Sequence, residues 1–268
     1  MKKFLYTLLL FPLILFAVED ADYIQALNLY KQKEYWKSIE AIRKIIDEKG
    51  TSYELHYLAA HNYWRLKNHR VAKQHFDQAV EKDNSNKPNL YIDLSKFLLD
   101  YDRPKSALKT CKEGLEKFPD NLDLNLLKAS IYADKKQMEK ALKIVEKLKV
   151  QYPENYEPIA MEAYIYFENG KLEKAEMSLK WAITLSPNNH NLENNLGLIY
   201  EKLAIQSLKK SRKLEKQGKN DLANTYKKQG LKYLDDAINE VKKASEREPE
   251  NEVYATNLKR IKSFKNSL

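Results

Sequence analysis

One cysteine, six glycines and eight prolines in 268 residues exclude several kinds of protein at once. A lone thiol, Cys111, cannot close an intramolecular disulfide, so no disulfide framework holds this chain together. So little glycine and proline also excludes a low-complexity chain. Arginine is scarce as well, at seven of 47 basic residues. Bidentate recognition of phosphates and base edges favours its planar fork, so a lysine excess read as solvated helix surface argues against nucleic acid as a partner. The chain has no Gly-rich phosphate loop, no HExxH and no GxSxG. The histidines His56, His61, His69, His75 and His190 lack the i, i+4 spacing that sets two ligands on one helix face, so neither a metal nor a cofactor is expected. No catalytic constellation is found, and the chain is not expected to be an enzyme.

Only one long apolar run occurs. Lys2 and Lys3 precede Phe4–Phe16, and Ala17 and Val18 follow before the acidic Glu19 and Asp20. A basic start, a short apolar core and a small residue at its end describe a signal peptide over 1–18. The run is short for a membrane span. Leu15 stands where signal cleavage prefers a small residue, so an uncleaved anchor is the competing reading. The expected location is exported, periplasmic or envelope-associated.

What is abundant is helical periodicity, in copies of one unit. The clearest copy is residues 156–189, where Ala163, Tyr166, Gly170, Leu172, Ala175, Leu179, Ala182 and Pro187 follow one another. Ile159, Ala163, Tyr166 and Phe167 share a helix face, Asn169-Gly170 breaks the helix, and Leu172, Ala175, Leu179, Ala182 and Ile183 share the face of a second. Pro187 ends it. Pro119, Pro153 and Pro187 are each 34 residues apart, and Pro249 lies 62 beyond, which is one period plus 28.

This small-x-x-Tyr, Ala-x-x-x-apolar, Pro pattern at a 34-residue period resembles the tetratricopeptide repeat family. The resemblance implies an all-α fold, a right-handed α-solenoid of about six helix-turn-helix repeats, at about 19–52, 53–86, 88–121, 122–155, 156–189 and 190–251. A hairpin that cannot bury its apolar face alone is stabilised by stacked neighbours. Asn84 stands where repeat two would carry its proline, and Pro104 opens the second helix of repeat three. Cys111 falls on a core-facing position. The last helix, 252–268, bears Lys259 and Lys262 where a further repeat would need apolar residues, as a solubilising cap does.

Repeat six carries 28 extra residues between Tyr200 and Ala237. They keep helical periodicity on both sides of Gln217-Gly218-Lys219-Asn220, with Asn220 or Asp221 expected as the helix cap. Both helices should run on by about fourteen residues and project by about 20 Å. The projection carries Lys209, Lys210, Arg212, Lys213, Lys216, Lys219, Lys227, Lys228 and Lys232.

In the family the resemblance points to, the first helices of successive repeats line a concave, partner-binding groove. Transferred here, the groove positions are Tyr23, Leu27, Tyr30, Tyr57, His61, Trp64, Arg65, Ile92, Lys96, Leu126, Ser130, Ala160, Tyr164 and Phe167. Trp64, Tyr164 and Phe167 are expected to serve binding rather than folding. The lysine, asparagine and arginine clamp by which some members hold a peptide carboxylate is absent. The chain also resembles envelope-assembly repeat proteins and pilotins, which are usually lipidated, but no cysteine follows the apolar run. The expected function is a non-enzymatic scaffold of the bacterial envelope that binds a protein or peptide partner. The alternative is a membrane-surface adaptor, with the leader as anchor and the basic hairpin as its contact with anionic lipid or an acidic partner.

Overall fold

The computed structural model describes residues 21–82 and 87–268. The expected leader at 1–18 and Asn84 lie outside them. The described residues form thirteen α-helices and no strand. Successive helices pair as α1 (Ala21–Lys31) with α2 (Tyr35–Lys49), α3 (Tyr53–Arg65) with α4 (His69–Glu81), and α5 (Asn89–Asp100) with α6 (Pro104–Lys117). Then come α7 (Leu122–Asp134), α8 (Met138–Gln151), α9 (Tyr156–Glu168) and α10 (Leu172–Leu185), followed by the long α11 (His190–Glu215) and α12 (Asn220–Arg247) and the final α13 (Glu252–Asn266). The fold is the α-solenoid class of helix pairs. It divides into two compact units, one ending at Leu124 and one beginning at Asn125.

Both ends of the pairs follow from local chemistry. Proline cannot continue a helix, and an asparagine two residues later caps the next one. Asn121 accepts from the Leu124 amide at 2.9 Å, Asn155 from Glu157 at 2.8 Å and Asn251 from Val253 at 3.2 Å, two residues after Pro119, Pro153 and Pro249. The turn inside each pair is made the same way six times. Lys33, Lys67, Asp102, Lys136, Gly170 and Gly218 all take a left-handed backbone, with φ between 54° and 73°. The next residue's amide reaches back five residues, from Lys171 to Tyr166 at 2.9 Å and from Arg103 to Leu98 at 2.7 Å. That bond satisfies a carbonyl orphaned by the helix end. Only two of the six residues are glycine, so only Gly170 and Gly218 were legible as stops. The helix cap expected at Asn220 or Asp221 is corrected: the cap position of α12 is Lys219, and its side chain makes no capping bond.

In the first unit Ala26, Ile42, Ile45, Leu55, Leu58 and Ala59 form one core cluster. Ala60, Ala72, Phe76 and Ala79 are fully enclosed, as are Ala107 and Cys111. The Cys111 Sγ lies 3.3 Å from the Leu124 carbonyl. Where serine replaces alanine at a crossing, its hydroxyl finds the facing backbone: Ser38 donates to the Ala26 carbonyl at 2.8 Å.

A pair of imidazoles makes this unit sensitive to acid. His56 and His75 meet Nδ1 to Nδ1 at 3.0 Å, with Tyr63 stacked on His75 and held by the Arg43 guanidinium at 2.9 Å. Burial, then the His56 and Arg43 charges, lower His75 from 6.5 to about 4. Burial and Lys82 lower His56. The unfolded chain therefore binds more protons than the folded one between about pH 4 and 6.5, and stability falls as pH drops through that window. Because His75 is partly exposed, about 1–2 kcal/mol is expected from it rather than the full shift. Urea melts of the parent and His75→Gln between pH 7 and 4 check this: the stability difference should change with pH, and parallel curves would refute it.

In the second unit the core joins Ile159, Ala163, Leu172, Ala175, Leu179 and Ala182 to Leu196, Ile199, Leu203, Leu234, Ala237, Val241 and Ile261. The helices α11 and α12 have 26 and 28 residues, about twice the others. They lie close because each offers a glycine to the other. A Cβ on Gly197 would meet Val241 Cγ2 at 2.4 Å, and one on Gly230 would meet Leu208 Cγ at 2.7 Å. The helix α13 docks through a polar ladder as well as apolar contacts: Tyr254 donates to Asn191 at 2.7 Å, Asn257 to Asn194 at 3.0 Å, and Arg260 pairs with Glu201. Tyr254, the largest fully enclosed side chain there, was not singled out by periodicity.

Candidate functional site

In the first unit, α1, α3 and α5 bring aromatic side chains and a few charges together on one face. Asp93 on α5 is the hub. The Tyr57 hydroxyl donates to its carboxylate, and His61 Nε2 lies 3.3 Å from Oδ2. Asp93 is 5% and His61 4% exposed, so this is a buried polar cluster that bonds satisfy rather than an open site. Burial first, and then Asp93, push the Tyr57 phenol well above its usual range, which keeps it protonated and donating. Tyr53 stacks on Tyr57 at 5.5 Å, and the Tyr30 ring stands edge-on to His61 at 6.3 Å. Arg65 Nε reaches the Tyr30 hydroxyl at 3.4 Å. The Trp64 indole donates to Asp100 at 3.1 Å while its ring packs on Phe76 and Phe97.

Of the expected groove residues in this unit, Tyr23, Tyr30, Tyr57, Trp64, Arg65 and Lys96 are half-buried, whereas His61, Ile92 and Leu27 are buried. Tyr23 packs against the α1–α2 core, and burial with the nearby Glu54 raises its phenol to about 12. The face therefore presents tyrosine and tryptophan rims, two cations and buried carboxylates behind them.

In the second unit, Tyr164 is 8% exposed and its hydroxyl donates to Asp134. Phe167 packs on the core with Lys202 above its ring at 5.8 Å. Tyr164 so placed is a packing residue, and the expectation that it serves binding without serving folding is revised. Burial inside the helix stack takes up its ring, and Asp134 takes up its hydroxyl.

The carboxylates Asp93, Asp100 and Asp134 were missed in the sequence. A signal existed for two: Asp100, Asp134 and Glu168 recur at 34-residue steps at the ends of α5, α7 and α9. Among the described residues no three of His, Cys, Asp and Glu gather as metal ligands, and no helix is long and apolar enough to cross a membrane.

The comparisons with known proteins agree with this architecture. Family models for the tetratricopeptide repeat match residues 98–161 in one case, and 53–86 and 157–189 in another. No curated protein matches the chain. Among solved structures, a tetratricopeptide repeat protein from Parabacteroides merdae is 12% identical, with a TM-score of 0.60 over 90% of this chain and 98% of its own. The C-terminal part of a TPR repeat-containing protein from Cytophaga hutchinsonii is 18% identical, with a TM-score of 0.56 over 89% and 95%. The Pseudomonas aeruginosa protein pilF is 14% identical, with a TM-score of 0.53 over 77% and 87%. The chain belongs to the tetratricopeptide repeat family. It is thus built as a protein–protein interaction scaffold, on a fold that is generally non-catalytic.

Proposed function

We propose that this chain is a non-enzymatic scaffold of the bacterial cell envelope that takes an extended peptide segment of a partner protein against the α1–α3–α5 face. The carrying observation is the composition and state of that face. Tyr30, Tyr57 and Trp64 are half-buried, rigidly packed and amphipathic, which is the chemistry of binding hot spots. Among the described residues, the Arg65 guanidinium has only the long bond to Tyr30, so most of its donors remain for a partner carboxylate or carbonyl. Lys96 adds a second cation on α5. Export rests on the apolar run Phe4–Phe16 behind Lys2 and Lys3.

Displayed peptides selected on the full chain test the reading. Arg65→Ala and Tyr30→Ala remove exposed groups rather than core, so melting should change little. Binding of the selected peptides should fall about tenfold or more for each. Selected peptides that bind both variants as tightly as the parent would place recognition elsewhere.

A further inference from the structure

The net charge of this protein is not spread over its helices. Residues 205–234 hold nine basic and two acidic side chains, a balance of +7, against +9 for all 268 residues. The remaining 238 residues carry 38 basic and 36 acidic side chains, which is close to neutral. The lysine excess read above as general helix surface is therefore the property of one element.

That element differs from the rest of the molecule in how its charges are used. Elsewhere cations find carboxylates: Lys73 with Asp77 at 2.7 Å, Lys180 with Glu176 at 2.6 Å, Lys243 with Glu240 at 2.8 Å and Arg247 with Glu193 at 3.0 Å. Among the described residues none of the nine hairpin cations pairs with one. Lys210 lies over the Tyr226 ring at 4.0 Å, an interaction that leaves its charge uncompensated. All nine are exposed. From Lys209 to Gln229 only Ser211, Leu214 and Ala223 are buried, with Tyr226 between, so this stretch contributes a thin seam and is otherwise surface. Leu222, 47% exposed, stands beside the turn at the tip.

We propose that the tip of the α11–α12 hairpin docks on an anionic lipid bilayer, with its lysines in the headgroup layer and Leu222 at the acyl boundary. Three observations favour a bilayer over an acidic protein or a nucleic acid. Eight of the nine cations are lysine, a mobile point charge suited to a diffuse headgroup field, where fixed carboxylates or phosphates select arginine's fork. The seam of Ser207, Ser211, Ala223 and Gly230 is too tight to leave a cleft for a peptide. The end of the projection offers an apolar side chain flanked by Lys216 and Lys219, the pairing that interfacial elements use.

The test sediments the full chain with vesicles of phosphatidylcholine alone and of phosphatidylcholine with about a third phosphatidylglycerol. The chain should prefer the anionic vesicles and lose that preference in about 0.5 M salt, where screening is strong. A variant with Lys209, Lys210, Arg212, Lys213, Lys216 and Lys219 each changed to Gln alters only exposed groups and should keep its helicity. At roughly fivefold per charge that reaches the surface, it should lose the preference by about a hundredfold or more. In Leu222→Trp, the emission that anionic vesicles shift to the blue should be absent with phosphatidylcholine. Equal binding to both vesicle types, full binding by the six-fold variant, or unshifted emission would each overturn the proposal. So would tighter, hairpin-dependent binding to polyglutamate or single-stranded DNA than to anionic vesicles, which would transfer the surface to a protein or a nucleic acid.

Discussion

Ala175→Glu should unfold the second unit or bring it close to unfolding. Ala175 is fully enclosed on α10, in the cluster that also holds Ala163, Leu179 and Leu196. At such a crossing the small side chain sets how near two helices can come, so a glutamate meets two penalties. Its volume forces the helices apart, and its carboxylate enters a site with no cation to receive it. Proton uptake can relieve the charge but not the overpacking. Roughly 4 kcal/mol or more of destabilisation is expected, beyond what single surface changes produce. Thermal melts followed by circular dichroism check it, with Ala175→Gly as the control that empties space without adding charge. A glutamate variant that melts with the parent would show that the repeat register is displaced at α10.

Phe76→Ala should have a comparable effect on the first unit, with a functional consequence as well. Phe76 is fully enclosed on α4 and is the common neighbour of the rings behind the candidate binding face: His61 at 5.5 Å, Trp64 at 6.2 Å, Tyr57 at 6.4 Å and Phe97 at 5.2 Å. Removing the ring loses its transfer free energy and leaves a cavity, typically about 3–5 kcal/mol for phenylalanine. Those same rings hold Tyr57 in line with Asp93 and keep Trp64 upright. Selected peptides should therefore bind Phe76→Ala more weakly even at temperatures where it remains folded, whereas Phe76→Leu should recover most of both losses. An alanine variant that is destabilised yet binds at parental strength would separate the core from the face.

The connection between core and face also explains which residues sequence reasoning could rank. Positions facing the helix-pair interior repeat every 34 residues, and every copy faces the same packing requirement. Ala60, Ala107, Ala141, Ala175 and Ala237 are all fully enclosed, as their spacing implies. Groove positions repeat with the same period, but each faces a different neighbour. His61 is enclosed because Asp93, Tyr57, Tyr30 and Phe76 happen to surround it, while Arg65, on the same helix, stays half-exposed beside Tyr30. No periodicity distinguishes these outcomes, since they depend on which side chains the adjacent helices supply.

The local rules and the period were thus determined by the sequence alone: helix pairs, their proline-and-asparagine punctuation, the doubled length of α11 and α12, and the basic character of that hairpin. Each depends on residues near one another in the chain, or on a spacing that must recur if successive units are to stack. Tertiary structure alone decided the rest. It put left-handed turns on Lys33, Lys67, Asp102 and Lys136, because the five-residue amide bond and the packing of the two helices outweigh the modest strain on a non-glycine. It buried Asp93 and Tyr164 by giving each a hydrogen-bonding partner 30 or more residues away. It also paired nearby lysines with carboxylates elsewhere while leaving the hairpin's nine cations facing solvent. Those outcomes require knowing what stands opposite each side chain, and that is fixed only when the helices are stacked.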